Sequence, residues 1–162
     1  MGRTLSRDEL RTLLGQVTRD ITNEAGVVLR PLDGGEQAPG EDLYTVYITF
    51  NRGINSRLAL CAGMSLFVRL ARNITMMEDI SPQDAEDVAK EYFNVLCGHI
   101  LARLFPVTKV PARFSVPAFC PGQQVMEGFS ENIILNFTSD QRERVQLTHY
   151  IPCSPPADAA LE

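Results

Sequence analysis

Residues 81–106 read SPQDAEDVAKEYFNVLCGHILARLFP, and this stretch decides the fold. Ser81 is an N-cap residue, Pro82 has its φ preset for a first helical turn, and Asp84 stands at the third helical position, beside the positive end of the peptide dipoles. Pro106 closes the pattern. The spacing predicts a helix over residues 82–105, about 24 residues or roughly 36 Å at 1.5 Å per residue. Ala85, Ala89, Tyr92, Phe93, Leu96, Ile100 and Leu104 give it an apolar back that belongs against a core. Asp87, Glu91, Asn94 and Gly98 follow at spacings of four, three and four, and share an arc of roughly 60°. With the back buried, this stripe must look outward.

Upstream, residues 6–23 read as an amphipathic helix. Ser6 with Glu9 forms a capping box, Leu10, Leu13, Leu14, Val17 and Ile21 recur at helical spacing, and Gly26 is a stop signal. A short strand over 27–29 and a Gly- and Pro-rich loop over 31–42 follow. Residues 43–50 alternate, with Tyr44, Val46, Ile48 and Phe50 on one side, which predicts a half-buried strand; 57–62 return as its hairpin partner. Gly63 opens a second helix over 64–76, with Leu66, Phe67, Leu70, Ala71 and Ile74 as its apolar face. Beyond Pro106, strands are expected over 113–117, 124–129, 131–138 and 144–151, the last two as an antiparallel pair joined through 139–142. Hairpins rather than βαβ crossovers predict an α+β fold: one mostly antiparallel sheet with helices packed on a face. A single domain over residues 1–151 and a flexible C-terminal tail over 152–162 are the expected organisation.

A chain of 162 residues that is 44% hydrophobic suffices for one real core. No apolar run approaches the roughly 20 residues needed to span a bilayer, and the charged N-terminus lacks the apolar region of a secretory signal. A cytoplasmic protein with no membrane partner is expected. The net charge of −5, with Lys and Arg scattered, argues against a nucleic-acid partner, which needs a basic stripe. Cys61, Cys97, Cys120 and Cys153 form no C-x-x-C pair, and His99 and His149 complete no standard zinc spacing with them. No metal site and no disulfide framework are expected.

Asp and Glu on an exposed helix face need no explanation beyond solvation. Asn94 is less ordinary, because its side chain competes for backbone hydrogen bonds. Gly98 is stranger, since a mid-helix glycine costs about 1 kcal/mol relative to alanine. Close approach by another backbone, within the domain or from a partner, is the usual reason for such a cost. The strip has no nucleophile and no metal cage; it can grip a partner and place a water.

The pattern Asp87-x3-Glu91-x2-Asn94, with Pro117 after 22 intervening residues, resembles the signature of the CheC/CheX/FliY phosphatases of bacterial chemotaxis. Gly98 is similar to the glycine these helices carry shortly after the Asn, and the order of predicted elements resembles the family's domain over nearly the whole chain. Members with two such helices carry a second copy of the motif. Here Ser65 to Asn73 has Arg69 where a Glu should fall and Asn73 one place late, so a single copy, as in CheX, is expected.

The resemblance implies a substrate: the aspartyl-phosphate of a CheY-type response-regulator receiver domain, which brings its own Mg²⁺ and a lysine. It implies that Asn94 positions the attacking water and that Glu91 pairs with the receiver lysine. Asp87 would extend the contact, and Gly98 would let the receiver's loops approach. No cofactor of the chain's own is implied, and a homodimer is. The alternative is a non-catalytic receiver-binding or dimerisation adaptor of a two-component or flagellar switch system. A small-molecule sensor with a pocket under the sheet is a third reading.

Overall fold

The computed structural model describes residues 2–32, 42–51, 56–124 and 126–153. Three helices, α1 (Arg7–Glu24), α2 (Met64–Thr75) and α3 (Pro82–Thr108), pack with β1 (Leu29–Pro31), β2 (Leu43–Asn51), β3 (Ser56–Gly63), β4 (Arg113–Phe114), β5 (Ala118–Pro121), β6 (Phe129–Ser139) and β7 (Arg144–Pro152). The strands form one antiparallel sheet in the order β1-β6-β7-β3-β2-β4, with β5 also paired to β2. The mostly antiparallel α+β fold read from the sequence is the fold observed.

Register explains why all three helices lie on one face. Val46 pairs with Leu60, Leu60 with Leu147 and Leu147 with Leu135, while Ile48 pairs with Leu58 and Leu58 with His149. Side chains alternate faces with period two, so these rows point the same way. They form one core with Leu14 and Val17 of α1, Phe67 and Leu70 of α2, and Phe93 and Leu96 of α3. The opposite face is covered in part by the chain before β6. There Arg57 lies 4.6 Å from the Phe129 ring centroid and 5.5 Å from that of Tyr47, and Thr45 Oγ1 donates to the Gly122 carbonyl at 2.8 Å.

The expected capping box of Ser6 with Glu9 forms, and Ser81, the expected N-cap of α3, is also in a box, with Asp84. Helix α3 does not stop at Phe105. It continues through Pro106 to Thr108 and ends at Lys109 in a left-handed conformation. A proline in a last turn forfeits one bond, here to the carbonyl of Ala102; Ala102 is exposed, so water can serve it. The strand expected at 113–117 is limited to β4, Arg113–Phe114, and β5, Ala118–Pro121, forms beyond it without having been expected; Pro117, which has no N–H to donate to β2, lies between the two. Of the strand expected at 124–129, only Phe129, the first residue of β6, is in a strand among the described residues. Gly122 and Gly128, both with φ near +80° (81° and 82°), turn the chain, and Met126 is buried among them without a strand partner. The strand expected over 27–29 lies two residues later, at Leu29–Pro31. Ile74, expected in the core, is 45% exposed. Most of the expected 31–42 loop lies outside the described residues, as do residues 154–162 of the expected tail. Cys153, before it, still donates its amide to the Gly128 carbonyl.

Candidate functional site

Helix α3 is fixed about its own axis by what it buries. Ala85, Ala89, Tyr92, Phe93, Leu96, Cys97, Ile100 and Leu104 all face the core. Tyr92 adds a polar lock: its hydroxyl pairs with Thr22 of α1. Thr22 gives its own proton to the Thr18 carbonyl at 2.6 Å, so Tyr92 must be the donor. Burial pushes the Tyr92 hydroxyl pKa up to about 12 and raises that of the Cys97 thiol well above its ordinary value. Neither ionises near neutrality, and the core behind the stripe is uncharged.

With that rotation set, Asp87, Glu91, Asn94 and Gly98 are all exposed on one face, as the spacing predicts. Asp87 accepts from Gln83 Nε2 at 2.9 Å one turn earlier. Lys90 is held by Glu86 at 3.0 Å, on the flank. Among the described residues neither the Glu91 carboxylate nor the Asn94 carboxamide has a hydrogen-bond or ion-pair partner. A Cβ at Gly98 would meet no atom within 4 Å beyond the helix's own backbone. Packing among the described residues therefore does not explain the glycine, and it leaves the helix surface open at that point.

Pro117 is buried between β4 and β5. Helix α2 offers no second stripe. Arg69 donates to Glu143 at 2.6 Å and to Asp140 at 2.7 Å, tying α2 to the β6–β7 turn. Asn73 Nδ2 donates to the Ala25 carbonyl at 3.0 Å. Both side chains are spent on structure. Of the residues weighed as metal ligands, Cys97 is buried behind α3, His149 is buried on β7 and His99 is exposed. Among the described residues no group of three or more His, Cys, Asp or Glu could hold a metal ion.

The family model described as chemotaxis phosphatase CheX matches residues 44–138, more than half of the chain and the whole of α3. The chain belongs to the CheX family. Solved structures agree on the fold. A CheX from Desulfovibrio desulfuricans superposes with a TM-score of 0.68 at 14% identity, covering 87% of this chain and 97% of that one. A Borrelia burgdorferi structure, a CheX–CheY–BeF3–Mg²⁺ complex, gives 0.66 at 13% identity, covering 93% and 100%. The FliM middle domain from H. pylori gives 0.57 at 10% identity, covering 91% and 94%. At these identities the likeness shows the fold alone. No curated protein is significantly similar in sequence.

Sequence reasoning missed part of what surrounds the stripe. Ile74 and Val95, 45% and 41% exposed, lie beside it and line a groove together with Asp87 and Glu91. Val95 was legible as an aliphatic residue on the polar side of the wheel; Ile74 was not, because its spacing fits the core face of α2.

Proposed function

We propose that this CheX-family chain hydrolyses the aspartyl-phosphate of a CheY-type receiver domain, with the stripe of α3 as the docking and catalytic surface. The observation that carries the reading is a carboxylate and a carboxamide, Glu91 and Asn94, one turn apart on a rigid helix and unengaged among the described residues. The open surface over Gly98 supports it, and the solved CheX–CheY complex shows that a relative of this fold meets such a partner.

Asn94 holds a water in line with the phosphorus by hydrogen bonding. The water oxygen attacks phosphorus, the bond from phosphorus to the acyl oxygen breaks, and the receiver's carboxylate leaves with inorganic phosphate as the second product. Positioning and electrostatics dominate phosphoryl transfer, so little covalent work falls to this protein. Mg²⁺, held by the receiver, neutralises charge on the phosphoryl oxygens. Glu91 pairs with the receiver's lysine and sets the register of α3 in its active site. Asp87 extends that contact, and Gly98 admits the receiver's backbone. The reading includes a homodimer along a sheet edge, since β1 has β6 on one side and no strand on the other among the described residues.

The test is the decay of a phosphorylated receiver in Mg²⁺ with substoichiometric protein. Faster decay with turnover supports the reading. Binding without acceleration would make the chain an adaptor, an outcome that the shared fold of FliM leaves open.

A further inference from the structure

A groove of about 390 Å³ runs beside the stripe, between the C-terminal end of α1, the end of α2 and the flank of α3. Ile74 and Val95 stand in it as large, half-exposed aliphatic side chains, Glu24, Asp87 and Glu91 bring three carboxylates to it, and His99 also lines it. We propose that this groove is the second half of the receiver-docking surface and takes a lysine or arginine side chain of the receiver, distinct from the lysine that pairs with Glu91. The proposal rests on the reading of the stripe given above.

Continuity is the first support. Asp87 and Glu91 belong to both stripe and groove, so a domain seated on one covers the other. Charge is the second. An aliphatic stem laid on Ile74 and Val95, with its cationic head at Asp87 and Glu24, satisfies the apolar wall and the carboxylates together. A second copy of this chain fits worse. A two-fold contact brings the same patch onto itself, and here that would set carboxylate against carboxylate in a chain of net charge −5. Water alone leaves two aliphatic side chains wet on either side of the hollow, which burial by a partner would relieve.

The experiment measures kcat and KM for phosphorylated CheY-type receivers with the Ile74→Ser/Val95→Ser double variant and with Glu24→Gln. All three residues are partly or fully exposed and none belongs to the proposed catalytic pair. The double variant is expected to raise KM about tenfold with kcat within about twofold of the parent. Glu24→Gln is expected to raise KM about threefold at low salt, an effect that fades toward about 0.5 M salt. Wild-type turnover with KM unchanged in both variants would overturn the groove and leave the phosphatase reading standing. Receiver binding without turnover, weakened by the double variant, would keep the groove and remove catalysis. Unchanged KM with a loss of dimerisation in sedimentation would assign the groove to a second copy and overturn the proposal. Neither binding nor turnover by the wild-type protein would overturn both.

Discussion

The Tyr92 hydroxyl donates to Thr22 Oγ1, and this bond joins α3 to α1 one residue after Glu91. A helix packed only through aliphatic contacts can roll by some degrees without losing area. A directional bond between buried groups resists that roll, and the stripe inherits its aim from it.

Tyr92→Phe removes the donor while leaving Thr22 its bond to the Thr18 carbonyl. We expect about 1 kcal/mol of lost stability, read as a lower urea midpoint with unchanged slope. Receiver turnover is expected to fall only a few-fold, because the apolar back still holds the helix in place.

Gly98→Ala separates stability from function. The added methyl meets no atom within 4 Å beyond its own helix, so helix propensity should raise stability by up to about 1 kcal/mol. If the glycine exists to admit a receiver, KM rises in the same variant. A more stable protein with unchanged KM would show that the open surface is not used.

His149 makes stability depend on pH. It is buried on β7 near Leu5, Leu14, Phe50, Leu58, Ile100 and Leu104, with no carboxylate among the described residues lining that hollow. Burial pushes its pKa down to about 4, against an ordinary value near 6.5. Between those values the unfolded chain binds the proton and the folded one does not. Stability is therefore full above about pH 6.5 and is lost as pH falls toward 4, by an amount on the order of 3 kcal/mol. His149→Gln should flatten this part of the unfolding curve, measured by urea titration across that window.

Arg69 is expected to matter for folding and not for turnover. Its guanidinium side chain is 13% exposed and sits against Glu143, itself 11% exposed. Arg69→Met would leave the Glu143 carboxylate with the Ser139 hydroxyl but no cation, at a cost of about 2 kcal/mol for a partly wet pair. Turnover by the folded fraction should be unchanged, since α2 carries no second stripe.

Much of this fold could be read in advance because its local signals agree. The N-cap Ser81 and the Pro82 that follows it announce α3, and the alternation from Tyr44 to Phe50 announces β2. The failures have local causes too. Pro106 reads as a stop, yet a proline near a helix end costs one bond and the helix passes it. Residues 124–128 read as part of a strand because periodicity cannot see that Gly122 and Gly128 turn the chain with positive φ. The stripe itself was legible, since four positions on one helix need only the helical period. The groove was not, because it is made where three elements meet, and Ile74 and Glu24 come near Asp87 only through packing.

The most direct test concerns Asn94. Asn94→Ala is exposed and should fold as the parent does, so turnover of a phosphorylated receiver can be measured beside equilibrium binding of the same receiver. The account predicts that turnover falls by at least about a hundredfold while binding changes less than about threefold. Glu91→Ala, in contrast, should weaken both. Wild-type turnover in Asn94→Ala would contradict the account, because the account assigns the attacking water to Asn94 and gives Glu91 to the receiver's lysine.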